Sequence, residues 1–582
     1  MQMKHTSILI LRQHRTIRQA ASTRDFSSRQ GLKGARILCV FQAFQTAELA
    51  EKIRRSAKMQ LCGAALILVL ALLCACSPAQ VPSVPAEPQP AAPASVPEAP
   101  EPAAPASVPD APETQKPAPE PDSAPEPEPE EAHDAPDQVL SSGSYTAAVY
   151  CRSLRQEDCR IECREYVVSD GVTATAFRAE GTGDSRFFDR TVENRGGGNI
   201  WYYNFQSSDW CCTALGEGTF ASPVTVVELA SGETFFIALP RTFLLRENSS
   251  MEYLPELDGA LHITQTADGL RMTVDGCGLE EGRVTDALVL TAPDRLMDWT
   301  VSNCAKAWVS YVKDGDFLWC YDGYYARSPY NYIPTGTNCY YCCTASYCIK
   351  GFLSRTPPCR EAPALVILML DTLSRRQNSY GFWPTASACQ WLLDDHGIGA
   401  VFYDTRFSTD LLEIYLEAAR KFGGSMFEDT IDRYLTFYSR IADTCHVSTE
   451  TGGWLIPDYW HPSERATPHT SLNHQAAECL ALYRAADLLN RKDLRELADR
   501  MLLAIEDTGS GWVMPDHNLY YSIQPDGAFV EGDYPYLTYN DLFYLRKYLS
   551  GVGRDDTDTL TYLMGEKLQW MQAQGVTGYE TG

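Results

Sequence analysis

Three stretches towards the C-terminal end concentrate side chains able to move protons. They are Thr470-Ser471-Leu472-Asn473-His474-Gln475-Ala476-Ala477-Glu478, Glu506-Asp507-Thr508-Gly509-Ser510-Gly511-Trp512, and Asp533-Tyr534-Pro535-Tyr536-Leu537-Thr538-Tyr539-Asn540-Asp541. The first opens a helix: Ser471 or Thr470 is a suitable N-cap, and Leu472, Ala476, Leu480 and Tyr483 recur at helical spacing. His474 and Glu478 stand four residues apart on roughly the opposite face, beside the small Ala481 and Ala485. A helix that is apolar or small nearly all round is buried, and a buried His and Glu need partners or a substrate. Further candidates sit on the connections between helices: Tyr403-Asp404-Thr405-Arg406, Pro457-Asp458-Tyr459-Trp460-His461 and Tyr520-Tyr521. Tyrosine serves as both acid and base when a neighbouring cation lowers its pKa.

The run from Ser471 to Leu545 resembles the C-terminal domain of D-glucuronyl C5-epimerases. That family places a helix opening Leu-Asn before a helix ending Asp-Thr-Gly-Ser-Gly, and an Asp-Tyr element before the next helix. Here the matching residues are Leu472-Asn473, Asp507-Thr508-Gly509-Ser510-Gly511, and Asp533-Tyr534 followed by Thr538 to Leu542. The family's Tyr-Asp-Leu-Arg element, which holds a catalytic tyrosine, is replaced by Trp512-Val513-Met514-Pro515-Asp516-His517, with Tyr520 and Tyr521 a little later. The resemblance implies isomerase chemistry on a uronate: a base removes the C5 proton, an acid returns it on the other face, and a cation or donors hold the carboxylate. On that reading Tyr534 is the first catalytic candidate, because it matches the family's Asp-Tyr. Tyr459 and Tyr521 stand in for the missing tyrosine, and His474 orients or transfers a proton. Arg406 would hold the carboxylate, with Asp404, Asn473, Glu478 and Tyr536 as further substrate-binding residues. The bland alternatives are packing tyrosines, a core histidine, and an Arg406 ion pair with Asp404 or Asp410.

Two other functions compete. Asp404, Asp458, Glu478 and Asp533 could supply an acid/base pair for glycoside hydrolysis. A non-catalytic glycan-binding surface module is the other, and the absent Tyr-Asp-Leu-Arg element favours it. No Walker loop, dinucleotide turn, His-Glu-x-x-His or Gly-x-Ser-x-Gly element occurs, so no cofactor is expected.

Composition narrows the partners. The 582 residues carry 49 Lys+Arg against 75 Asp+Glu, a formal net charge of -26. Such a surface repels phosphate backbones, which argues against nucleic acid, and it opposes polyanionic glycans unless a local basic site exists. Residues 1–58 are basic and aperiodic, and a true start near Met59 is the expectation. The segment 59–76 reads as a lipoprotein signal: Lys52, Arg54, Arg55 and Lys58 precede the apolar run Leu61 to Leu73, and Leu73-Cys74-Ala75-Cys76 resembles a lipobox with Cys76 carrying the lipid. Residues 77–138 are Pro, Ala and Glu, a disordered spacer of polyproline character. The plan implied is a bacterial cell-surface protein, lipid-anchored to the membrane, with its domains extracellular and a uronate-containing polysaccharide as partner.

The elements that must position these residues follow. Residues 139–356 read as a Cys-rich, sandwich-like β-domain, with strands at Tyr145–Tyr150, Val224–Leu229, Glu233–Leu239, Leu261–Thr266 and Ala287–Thr291. Its aromatic runs, Trp201-Tyr202-Tyr203-Asn204-Phe205 and Tyr321-Asp322-Gly323-Tyr324-Tyr325, read first as packing and second as a sugar platform. Cysteines such as Cys339, Cys342 and Cys343 read as disulfides or buried thiols rather than a metal site. From 357 to 582 the pattern becomes helical. Ala362–Leu370 is an apolar entry segment, and helices are expected over 385–396, 408–422, from Ser425 through Ile441, from Ser471, from Asp493 to Gly509, over 538–549 and over 556–574. Successive amphipathic hairpins with long polar-aromatic connections fit an all-α α/α toroid, whose helix ends would surround a cleft.

Overall fold

The computed structural model describes residues 135–581 except 157, 194–196, 205–208, 301–315 and 355–358. The expected signal segment, Cys76, the Pro-rich spacer up to residue 134, and Cys304 lie outside the described residues.

A β-rich region over 138–342 precedes a helical region. The larger sheet has 13 strands. Its main path orders Gln138–Ser141, Thr146–Gln156, Cys159–Val168, Thr173–Gly181, Arg283–Ala292 and Thr234–Arg246, continuing to Phe317–Cys320. A four-stranded sheet, built on Gly269–Leu279, faces it. Ile161, Phe177, Val227 and Phe235 from the first sheet and Leu261, Ile263, Met272 and Val274 from the second share one core. The opposite face of the larger sheet, through Val149, Tyr166, Ala174 and Ala176, shares a core with the helical region. Val224–Leu229 is therefore buried at every position, which is why its sequence is nearly unbroken Val, Thr and Leu rather than alternating. The aromatic runs do pack: Tyr324 and Tyr325 are buried, and Trp201 stacks on Trp299 at 4.1 Å while both indoles donate to the buried Glu228. Cys320, Cys339, Cys342 and Cys343 are buried thiols, and burial pushes Cys342 up to about 11 and Cys343 up to about 12.

Nine α-helices follow among the described residues: α1 Tyr347–Leu353, α2 Ala362–Ser374, α3 Gln390–His396, α4 Thr405–Phe422, α5 Glu428–Cys445, α6 Leu472–Leu489, α7 Lys492–Thr508, α8 Leu537–Gly551 and α9 Asp558–Gln574. The entry segment is thus itself a helix. It is apolar all round because it is buried all round, between the sheet and α4, and its Asp371 accepts a 2.6 Å hydrogen bond from Tyr166 in the sheet. The expected cap of α6 differs. Ser471 precedes α6 but does not cap it, because its hydroxyl is taken by Asp458. Asp493 lies inside α7 and pairs with Arg491. Asp404 is a true cap, accepting from the Phe407 N–H at 2.9 Å.

Helix α6 packs against α4 on one side and α8 on the other. The turns from α4 to α5, α6 to α7 and α8 to α9 are short and contain left-handed residues such as Gly423 and Asn490. The long connections, 375–404, 446–471 and 509–536, therefore gather at the other end, where α4, α6 and α8 begin. Arg406 ties these three beginnings together, donating to the Asn473 carbonyl of α6 and to the Asp541 carboxylate of α8.

Candidate active site

Three short β-ladders brace the starts of α4 and α6. Tyr403–Asp404 pairs with Tyr459–Trp460. Thr470–Ser471 pairs with Tyr520–Ile523, which pairs with Phe529–Gly532. These ladders bring residues from three separate connections around one carboxylate. Asp458 has no exposed side-chain surface. Ser471 donates to it twice, from its backbone N–H at 2.7 Å and its hydroxyl at 2.6 Å. His469 Nε2 lies 3.4 Å from Asp458 Oδ2, and His474 Nδ1 lies 3.5 Å from the same oxygen. His474 Nδ1 is also 2.8 Å from the Thr405 hydroxyl.

The two histidines are driven apart in charge. Burial pushes His474 down to about 4, so it is neutral near pH 7. Burial also acts to lower His469, but Asp458 beside it and the Glu531 charge outweigh that, and its pKa is raised; among the described residues its Nε2 has no hydrogen-bond partner. Burial resists ionisation of Asp458, yet the two imidazoles and Ser471 hold it below the usual carboxylate range. A protonated imidazole has two N–H donors, and in His469 the Nε2 side is the one that faces Asp458. The His469 side chain keeps 12% of its surface exposed.

Aromatic rings wall the imidazole. Trp391 lies nearly parallel to His469 at 6.0 Å, Tyr459 is 6.1 Å away edge-on, and Tyr521 is 5.6 Å away. Tyr534 continues this wall, its ring 5.4 Å from Tyr521. Tyr459 also meets His474 at 6.2 Å. The four catalytic candidates named from sequence, Tyr534, Tyr459, Tyr521 and His474, are thereby connected through one cluster. Tyr459 is buried, whereas Tyr521 and Tyr534 are half-buried and border solvent.

The expected substrate-binding residues fare differently. Arg406 is not available to a carboxylate ligand. Its Nη1 and Nη2 bond Asp541 at 2.7 and 3.2 Å, and its Nε bonds Asp410 at 3.2 Å. Burial pushes Asp541 up to about 6 in spite of Arg406. The ion pair weighed for Arg406 is real, with Asp541 as an added partner 135 residues away. Asp404 is spent on capping α4. Glu478 lies behind the site, accepts a 2.6 Å hydrogen bond from Tyr438, and is pushed up to about 8 by burial. Asn473 is buried, and its side-chain oxygen has no hydrogen-bond partner. Tyr536 is half-buried just before α8, its ring near Gly578. Asp533 is buried against Lys567 at 2.8 Å and accepts from Thr538 at 2.6 Å. Lys567 also donates to the Tyr534 carbonyl at 2.6 Å, which holds that tyrosine's backbone in place.

Sequence reading missed His469, Trp391 and Lys567 as contributors. A signal for His469 existed: it lies two residues before Ser471 in a Pro-bounded connection that already held Asp458 and Tyr459. Trp391 and Lys567 reach the site only through the tertiary fold. Among the described residues no group of His, Cys, Asp and Glu side chains is arranged to hold a metal ion.

The sequence matches no protein-family model, and no curated protein matches it. Solved structures do align. One is a cellobiose 2-epimerase from Spirochaeta thermophila DSM 6192, at 11% identity over 39% of this chain and 50% of that one, with a TM-score of 0.26. An unsaturated glucuronyl hydrolase from Bacillus sp. GL1 aligns at 15% identity over 39% of this chain and 58% of that one, TM-score 0.27. A family 76 glycoside hydrolase from a bovine Bacteroides thetaiotaomicron strain aligns at 9% identity over 73% of this chain and 78% of that one, TM-score 0.33. The chain spans only 50% to 59% of the first four such structures. At these values no residue is carried across, and function is read from the site alone.

Proposed function

We propose that this chain is a carbohydrate-processing enzyme that removes and returns a proton on a sugar ring, acting on uronic-acid residues of a polysaccharide in the manner of a C5-epimerase. The observation that carries the reading is His469, an imidazole beside buried Asp458 and walled by Trp391, Tyr459 and Tyr521. Aromatic walls suit the apolar faces of a pyranose. The second His469 N–H takes the carboxylate role first given to Arg406, stabilising the charge that develops as C5 loses its proton. Tyr521 and Tyr459 flank the imidazole separately and are the candidate bases. Tyr534 adjoins Tyr521 and extends that side. His474 is a positioning residue that holds Asp458 and Thr405. The α/α-toroid architecture, the surface lipoprotein setting with Cys76 as lipid site, and the polysaccharide partner belong to this proposal and rest on the sequence pattern.

Hydrolysis is less well supported. Its four candidate carboxylates, Asp404, Asp458, Glu478 and Asp533, are all buried and engaged as described, which leaves none to reach a glycosidic oxygen. The test is to incubate the full chain with uronate polysaccharides in deuterated water and follow deuterium at C5 by NMR, beside His469→Gln and Tyr521→Phe variants. Incorporation by the wild type and its loss in His469→Gln is the expected result. New reducing ends without incorporation would turn the assignment to a hydrolase, and binding with neither signal would turn it to a glycan-binding module.

A further inference from the structure

Glu531 carries a feature the proton-transfer scheme leaves unused. It is exposed, yet its backbone sits at φ = 60°, in the left-handed region that glutamate disfavours. Such strain is characteristic of residues held in place for a function. Its neighbour Gly532 would occupy that conformation at little cost, so the strain falls on a charged side chain rather than on the glycine. Hairpin register locates it. Tyr520 pairs with Gly532 and Ser522 with Val530, so Glu531 holds the register position across from Tyr521. Tyr521 is the ring that meets His469. The negative charge of Glu531 also acts on His469. Among the described residues its carboxylate has no hydrogen bond or ion pair to the rest of the chain, and the backbone conformation holds an unspent acceptor at the mouth of the cluster.

We infer that Glu531 is a substrate-contacting residue whose carboxylate accepts hydrogen bonds from hydroxyl groups of the pyranose lying against His469 and Tyr521. A carboxylate has two oxygens and accepts from a vicinal diol, whereas it repels a uronate carboxylate. The sugar is therefore oriented with its hydroxyl edge at Glu531 and its acidic edge at His469. This inference rests on the site proposed above, but it concerns recognition rather than proton transfer.

The test uses the full chain with methyl β-D-glucuronide as probe. Binding is measured by calorimetry, and His469 is titrated by NMR of histidine-labelled protein. Glu531→Ala is expected to weaken binding by roughly ten- to hundredfold, with Glu531→Gln less affected because its amide oxygen still accepts. Glu531→Gly is expected to bind as weakly as Glu531→Ala while melting at a higher temperature, because glycine relieves the strained backbone. Each variant should also shift the His469 titration downward, which checks that the Glu531 charge lies beside the imidazole. Binding by Glu531→Ala within twofold of the wild type would overturn the inference, as would failure of the wild type to bind the probe. Deuterium exchange at C5 decides the proton-transfer reading independently: wild-type binding without exchange would sink that reading and leave the recognition role of Glu531 standing.

Discussion

His469 Nε2 and His474 Nδ1 approach the same oxygen of Asp458, at 3.4 and 3.5 Å, yet their pKa values move in opposite directions, His469 upward and His474 down to about 4. One buried carboxylate thus lies between two histidines that respond to it unequally. The ring enclosed by Thr405, Tyr459 and Arg406 is the one that burial drives to the neutral form.

Asp458→Asn is expected to lower turnover by about 10²–10⁴, the range for a displaced acid–base group. It should also reduce stability by about 3 kcal/mol through loss of a buried, paired charge. His469 is raised in the folded state, so its contribution to stability is complete below about pH 6.5 and is lost as pH rises through the folded value. Chemical denaturation from pH 5.5 to 8.5 should show that loss in the wild type and a flatter profile in Asp458→Asn. An equal slope in both proteins would remove the Asp458–His469 coupling.

Glu478 is an acid that burial pushes up to about 8 in the folded chain, from an ordinary value of 4.5. Between those values the folded chain keeps a proton that the unfolded chain releases, so stability falls as pH rises through that window. Glu478→Gln cannot lose the proton. The melting temperature of the variant should therefore drop less than that of the wild type between pH 5 and pH 8.5. Parallel melting curves would show that Glu478 is ionised in the folded state.

Arg406 and Asp541 join the starts of α4 and α8 through a two-point ion pair, with the Arg406 side chain only 16% exposed. Removing either partner strands a buried charge and should cost about 3–5 kcal/mol. Asp541→Asn is expected to lower the denaturation midpoint while leaving the KM of the folded protein within twofold. A large rise in KM with unchanged stability would instead return Arg406 to the role of carboxylate ligand.

Lys567 has no exposed side-chain surface and bonds Asp533, Asn518 and the Tyr534 carbonyl. Lys567→Met should destabilise by about 3 kcal/mol and lower kcat, because Tyr534 loses its anchor and Asp533 its counter-charge. Lys567→Met combined with Asp533→Leu should recover part of the stability, since apolar residues replace a buried pair at little cost, without recovering kcat. Recovery of both together would show that Lys567 acts on the fold alone and not through Tyr534.

By itself, the sequence determined the order of the described elements and much of their kind. Alternation or unbroken Val and Thr marked strands, and the 3.6-residue recurrence of Leu, Ile and Tyr marked α4, α5, α6 and α7, because these patterns follow from which faces water can reach. It also pointed to the connections before α4, α6 and α8 as the place of the chemistry. Only the tertiary structure decided which side chains there remain available. Arg406 and Asp404 look as exposed in sequence as Tyr534, but packing α8 beside α6 brings Asp541 to Arg406, and the helix start consumes Asp404. His469 became the centre because two ladders, formed by residues 51 to 57 apart, bring Asp458 and Tyr521 to it, while α3 supplies Trp391. Pairings at such separations carry no local periodicity, so they arise from packing and from the need to partner every buried charge.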